Sequence, residues 1–432
     1  AVKEILLVFK AMKPYVDSEK TNQWLADLKK IDPYVNYNAH LDKSTPEQLH
    51  NINVFNMVGE YLRESEGLTD TKDYFARHWP VQLEKFDING MYKDPDNPML
   101  YDIATRGHVE LLLFHGYKGE FSRILDEYLE KSAFYTLFMQ SSNFELPYGG
   151  RSNQFLFNDA YVASHCEYEA RRYKARGDLK TAGMFKRCAR LSMLSVLRWI
   201  KEAVPPKHNR NFYPIESKHG QEDYAYYDKY MVTLAVNTYS AFLFADDSIE
   251  EFLCPSEVGG YVFETSKDFH KIFANCKGNF IEIDTMANQH YDSTGLGRLH
   301  KAGVPSELAI STPFTATPNY LSLDEFSNAN ISICPGWDDG KGNIQFLCDL
   351  SEGLEYSLEI KESNERQVKF SVTYSGNVIK GCKEVIESYT INSEGVTIMC
   401  QLIEPSSKKL YYRLPLYYSN GRDEGSLCKT KD

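Results

Sequence analysis

The chain has 432 residues, 42% of them hydrophobic and 25% charged, which is the balance of a globular protein and the length of two domains. Its formal net charge of −12, with no basic stripe, disfavours nucleic-acid binding and demands a local positive cleft for any polyanionic ligand. No apolar run approaches the about 18 residues of a membrane span, and nine dispersed cysteines without a CxxC pair argue against a zinc ribbon or a disulfide-dense scaffold.

The chain opens on Ala1, read either as a mature periplasmic or secreted form after signal removal or as a trimmed chain. Up to about residue 245 the patterning is helical. Lys3 to Met12 is the first such run. Ser44-Thr45-Pro46 reads as the capped start of a helix continuing from Gln48 to Leu62. Asp94-Pro95-Asp96-Asn97-Pro98 is a turn cluster, followed by an apolar helix from Met99 to Phe114 and another from Glu120 to Met139. Gly149-Gly150 then turns the chain into Arg151-Ser152-Asn153, from which a helix runs to about Lys174. Leu179 to Val204 is helical up to Pro205-Pro206. A polar loop with Tyr213, Lys218 and His219 precedes a last helix from Tyr224 to Phe244.

Beyond about residue 250 several runs alternate with period two. Strands are expected at Gly259–Phe263, Asn279–Ile283, Asn330–Ile333, Ile344–Leu347, Tyr356–Ile360, Val368–Tyr374, Val396–Leu402 and Leu410–Leu416. The expected fold class is multidomain α and β. An N-terminal α/α toroid, an incomplete helical barrel, spans residues 1–248, and an antiparallel β-sandwich spans 249–432. The cleft between them is the expected ligand site.

Three stretches carry chemistry. In the first, Asn153 offers an amide N–H to a carboxylate and Arg151 a bidentate guanidinium, although Ser152 or Asn153 also suits a helix cap. In the second, Tyr224 and Tyr227 are three apart and share a face if helical; a phenol there is a general base or acid, or packs in a core. The third, Asp284 to Lys301, reads as a polar loop that brings His290 and Arg298 to the cleft. Its His/Asp spacing also suits a metal, but no pair has diagnostic spacing and none is assigned. There is no Walker loop, GxSxG or HExxH.

With these residues the chain resembles the heparinase II/III-type polysaccharide lyases. Asn153 matches their carboxylate-neutralising asparagine, the YxxY of Tyr224 and Tyr227 their tyrosine segment, and His290 their sandwich-borne histidine. Those enzymes often carry Asn-His where this chain has Asn153-Gln154. The resemblance implies β-elimination on a uronic-acid polysaccharide, such as a glycosaminoglycan, alginate or a glucuronan. Asn153, helped by Arg151, then neutralises the carboxylate, while Tyr224, Tyr227 and His290 supply base and acid. His219 and Arg298 join Arg151 in binding the substrate. No cofactor is required, and the partner is an acidic polysaccharide rather than nucleic acid or a membrane. Two other readings stay open. One is a glucuronate-specific glycoside hydrolase on the same toroid, drawing on Asp159, Glu222, Asp223 or Asp228. The other is a non-catalytic protein that binds acidic glycans.

Overall fold

In the computed structural model, which describes residues 2–39, 45–202, 204, 206–210, 214–218, 220–222, 224, 227–306 and 333–414, α-helices occupy the chain before residue 259 and strands follow. The described helices are α1 (Val2–Met12), α2 (Ser18–Lys29), α3 (Pro33–Asn36), α4 (Asn51–Ser65), α5 (Lys72–Leu83), α6 (Met99–Phe114), α7 (Ser122–Met139), α8 (Phe157–Ala175), α9 (Leu179–Glu202), α10 (Tyr227–Phe244) and α11 (Pro255–Val258).

Local chemistry sets where these helices begin. α4 starts at Asn51 because the His50 ring accepts the Ile52 amide at 3.3 Å while Asn53 Oδ1 accepts the His50 amide at 3.0 Å. The start expected at Thr45 is a single 3-10 turn over Pro46–Gln48; Ser44 lies outside the described residues. α2 was not expected: it buries only Thr21 and Leu28, too little for an apolar stripe to be read. α6 is buried on nearly every side, which carries Asp102 and Arg106 into the interior, where they pair at 2.6 Å. α6, α8 and α9 share a core built on Leu100, Ile103, Phe157, Val162, Phe185 and Trp199. A second core, around Leu6, Val54, Trp79, Leu112 and Phe244, joins α1, α4, α5, α6 and α10.

The strands are β1 (Gly259–Glu264), β2 (Lys271–Cys276), β3 (Asn279–Asp284), β4 (Gly295–Lys301), β5 (Cys334–Asp338), β6 (Ile344–Phe346), β7 (Glu355–Ser363), β8 (Val368–Ser375), β9 (Glu384–Asn392), β10 (Gly395–Ile403) and β11 (Leu410–Arg413). They pair antiparallel in three sheets, ordered β1-β2-β3-β4, β10-β9-β8-β7 and β11-β5-β6. Residues 330–332 and 415–416 of the expected strands lie outside the described residues.

β2 and β3 are buried along their whole length, so the first sheet is covered on both faces. Ile272, Ala274, Ile281 and Ile283 face Val368, Phe370 and Tyr389 of the second sheet in one apolar core. On the other face Phe273 and Phe280 meet Met99 of α6 and Met139 of α7. That face also carries Lys271, Glu282, Asp284, Arg298 and His300, all buried. This corrects the reading of residues 295–301 as loop. They form β4, whose strand period is disguised because its inward residues are an arginine and a histidine with buried partners.

β9 was missed for a similar reason. Its inward positions are Val385, Glu387, Tyr389 and Ile391, so an acid interrupts the apolar alternation. Glu387 accepts the Tyr389 hydroxyl at 3.0 Å, its other oxygen is unpaired, and burial pushes its carboxyl up to about 7. The folded state therefore holds this proton more tightly than the unfolded chain, and stability is lost as pH rises from the ordinary carboxylate range to about 7. Glu387→Gln removes that loss. It is expected to stabilise the protein by roughly 3 kcal/mol near pH 8 but by less than about 1 kcal/mol near pH 5, read by urea unfolding.

Candidate functional site

Between α7 and α8 the chain crosses the charged face of the first sheet as an extended strap. Alternate amides of the strap each donate to a carboxylate from a different element. Leu146 N–H donates to Asp159 of α8 at 2.8 Å and Tyr148 N–H to Glu282 of β3 at 3.1 Å. Gly150 N–H donates to Asp292 at 2.8 Å, and Ser152 N–H to Glu222. Cations answer these acids. Arg298 donates to the Leu146 carbonyl at 2.7 Å and lies 3.9 Å from the Tyr148 ring centre. Arg210 donates to the same carbonyl at 3.2 Å and to the Asn153 carbonyl. Lys271 pairs with Asp284 and lies 3.7 Å from Asp292.

Gly149 and Gly150 permit the turn at the end of the strap. Gly149 accepts the Met99 amide at 2.9 Å, which pins the turn to the start of α6. Gly150 has φ 74°, and a Cβ there would lie 2.6 Å from Pro98 Cβ. Ser152 also takes a positive φ of 64°, so α8 begins only at Phe157. Neither Ser152 nor Asn153 caps it; the N-cap is Leu156, which makes no side-chain cap. The amides that the sequence offers to an anionic ligand are thus partly taken by the chain's own carboxylates.

At the open end of the strap Ser152 Oγ lies 2.6 Å from the Tyr224 hydroxyl and 3.1 Å from that of Tyr101, giving a chain of three hydroxyls. The Arg151 guanidinium sits 4.7 Å from the Tyr101 ring centre. It pairs with Asp94 and donates to the Pro95 carbonyl at 2.5 Å. Pro95 and His50 also line a cavity of about 830 Å³ bordered by Val2, Tyr37 and Asn56. Asn153 is 7% exposed, and its Nδ2 makes no hydrogen bond. Tyr224 is 37% exposed; burial of its hydroxyl and the neighbouring Tyr101 and Glu222 push the phenol above its ordinary range. Burial raises Glu222 to about 7 against the opposing Ser152 amide and Arg151, and its Oε2 is unpaired.

The structure thus gathers Arg151 and Tyr224 around Ser152 and Tyr101, while Asn153 follows Ser152 in the chain with its side chain buried. Tyr224 stands in a turn before α10, so the helical face expected for Tyr224 and Tyr227 does not exist: the helix starts at Tyr227. The side chain of Tyr227, with Tyr213, His219 and Asp223, lies outside the described residues. His290 is exposed, two residues before the Asp292 that grips the strap. Arg298 is fully enclosed beneath Tyr148. Tyr101 and Arg210 escaped the sequence reading. Tyr101 reads as one more apolar residue of α6, and Arg210 sits in a stretch without periodicity.

Glu110, His165 and Glu169 put donor atoms within 4.8 Å of one another between α6 and α8. Their number suits a divalent ion; their surroundings do not. Arg106 Nη1 lies 3.3 Å from His165 Nε2, and Arg172 Nε lies 2.8 Å from Glu169. The guanidinium can only donate, so His165 Nε2 accepts and its Nδ1–H turns to Glu110. Two arginines already stand where a cation's charge would be needed, and we assign no metal here.

Comparison with family models, curated proteins and solved structures finds no match for this chain. The strap yields a test of its own. Gly150→Ala meets Pro98 in a left-handed backbone and is expected to cost about 2 kcal/mol or more. Gly67→Ala, with φ 72° but nothing within 4 Å, is expected to cost only about 1 kcal/mol. Equal losses in urea unfolding of the two variants would show that the turn on Pro98 is not tight.

Proposed function

We propose that the chain is a polysaccharide lyase that cleaves uronic-acid-containing polysaccharides by β-elimination. In this reading residues 1–248 form an incomplete α/α toroid and 249–432 an antiparallel β-sandwich. Helix pairs joined by short turns, and antiparallel meanders sharing one core, support that architecture. The reaction is argued from one observation: Tyr224 is the exposed end of the hydroxyl chain through Ser152 to Tyr101, with Arg151 over the Tyr101 ring, while Asn153, next in the chain after Ser152, has a buried amide without a hydrogen bond.

The C5 proton of a uronic acid becomes removable once the adjacent carboxylate is neutralised, because the charge left on carbon then spreads into it. Asn153 Nδ2, with Arg151, supplies the neutralisation. A base takes the C5 proton, the electron pair forms the C4–C5 double bond, and the C4–oxygen bond breaks. The raised phenol of Tyr224 is protonated at neutral pH, so this group protonates the departing oxygen. The base is Glu222, whose carboxyl is poised at about 7, or His290 of the loop whose Asp292 holds the Gly150 amide. Tyr227 stays a candidate base or acid and His219 a substrate-binding residue, as the resemblance implies, whereas Arg298 holds the strap rather than the sugar. The scheme needs no cofactor, and an extended acidic polymer as substrate suits a periplasmic or secreted setting.

Glu222 also favours a second reading. A carboxyl raised to about 7 is what a glycoside hydrolase needs as its acid, and Asp292, with one unpaired oxygen, grips the same strap two residues away. The product separates the two: elimination leaves an unsaturated sugar that absorbs in the near ultraviolet, and hydrolysis leaves a saturated end. A non-catalytic glycan-binding protein would leave the polymer uncut.

On a panel of uronic-acid polysaccharides, the wild-type chain is expected to raise near-ultraviolet absorbance with at least one. Tyr224→Phe should lower kcat by about 10²–10⁴-fold, and Asn153→Ala should abolish the signal. An Asn153→Ala variant with full activity removes the neutralising amide from the scheme. With Glu222 as base, kcat/KM rises with pH through about 7 as the carboxyl ionises, and Glu222→Gln flattens this rise. A profile that falls through about 7 instead assigns Glu222 the acid role of the hydrolase.

A further inference from the structure

The three-stranded sheet carries a row of chemistry that the proposed reaction does not use. The β5–β6 register ends where Gly336 faces Phe346, and the chain then enters a 3-10 turn, Leu347–Asp349, that brings the Cys348 thiol within hydrogen-bond reach of Cys334. On the other side of β5, Arg413 of β11 is the register partner of Cys334. Arg413 and Cys334 thus stand side by side in the sheet, and Cys348 approaches both from the turn. Arg413 Nη1 donates to Cys348 Sγ at 2.9 Å, and Cys348 Sγ lies 3.4 Å from Asp349 Oδ1. Both cysteines are buried and unbridged. Arg413 is 24% exposed. Arg413 belongs to a four-residue strand that pairs, among the described residues, with β5 alone, and the reaction below requires that strand to open so that a small molecule reaches both buried sulfurs.

We propose that Cys334 and Cys348 form a reversible dithiol–disulfide site whose oxidant is a small-molecule disulfide, with Arg413 beside both sulfurs and hydrogen-bonded to that of Cys348. The Cys334 thiolate attacks one sulfur of the oxidant, forming a mixed disulfide and releasing one thiolate. Cys348 then loses its proton, attacks the Cys334 sulfur and expels the second thiolate. Two protein thiols are oxidised, one disulfide is reduced to two thiols, and no other reactant is needed. The hydrogen bond from Cys348, with Arg413 beside it, holds the Cys334 thiol below its ordinary range. Cys166 and Cys188 offer an internal contrast. They also approach each other, but in the helical core, where burial pushes both thiols up.

The test uses the full chain, reduced and then exposed to oxidised glutathione, with free thiols alkylated before peptide mapping. The expected result is a linked peptide joining Cys334 and Cys348, with Cys166 and Cys188 still open to alkylation after denaturation. Arg413→Gln should slow the linkage several-fold, and Cys348→Ser should stall as a glutathione adduct on Cys334. The proposal is overturned if Cys334 and Cys348 stay unlinked, if Cys166 and Cys188 link as fast, or if Cys334→Ser collects the adduct on Cys348 at the same rate. The wild-type map decides the matter even where a variant fails to fold.

Discussion

A buried backbone N–H must find an acceptor, and in the strap from Leu146 to Ser152 that demand is met by carboxylates rather than by a neighbouring strand. Asp159 comes from a helix, Glu282 from a strand, Asp292 from a loop and Glu222 from a turn, so four elements converge on one short segment. Each acid loses hydration in doing so. Arg210, Arg298 and Lys271 return part of that loss through charge. Burial still prevails at Asp159 and Glu282, raised to about 6 and about 7, whereas the neighbouring Asp284, which holds no strap amide, is carried the other way by His270 and Lys271 to about 2. The helices and the first sheet are thus joined by an apolar seam of Met99, Met139, Phe273 and Phe280 and by this charge lattice beside it.

That arrangement explains how far the sequence could be read. α6 follows from its apolar run and the turn before it, and both its ends agree with the structure. β8 and β10 follow from period-two alternation. Two of the missed strands carry charge in place of apolar residues at inward positions, β4 with Arg298 and His300 and β9 with Glu387; α2, α5 and β2 were not expected either. No pattern in one sequence says that a buried arginine will find a carbonyl far along the chain. The late start of α8 was hidden for another reason, since a positive φ at Ser152 is not a preference of serine.

The candidate site divides along the same line. Arg151 and Asn153 stand out in sequence as polar residues after a glycine turn. The tyrosine cluster pointed to Tyr224, though on the wrong argument, since it precedes the helix. Their chemistry was not legible, because it is set by the surroundings. Burial first, and then the neighbouring Tyr101 and Glu222, raise the Tyr224 phenol above its ordinary range. Burial raises the Glu222 carboxyl to about 7 even though the Ser152 amide pulls it down.

The alternation of the strap also restricts which insertions and deletions the chain tolerates. Amides at positions 146, 148, 150 and 152 point to acids, while the carbonyl at 149 points to α6. Adding or deleting one residue within this segment would turn the remaining N–H groups away from their carboxylates and strand the acids without donors. Side chains here are free to drift wherever they do not pack, but the count of residues is not. Among descendants of this chain the spacing from Leu146 to Ser152 should outlast most of the letters within it.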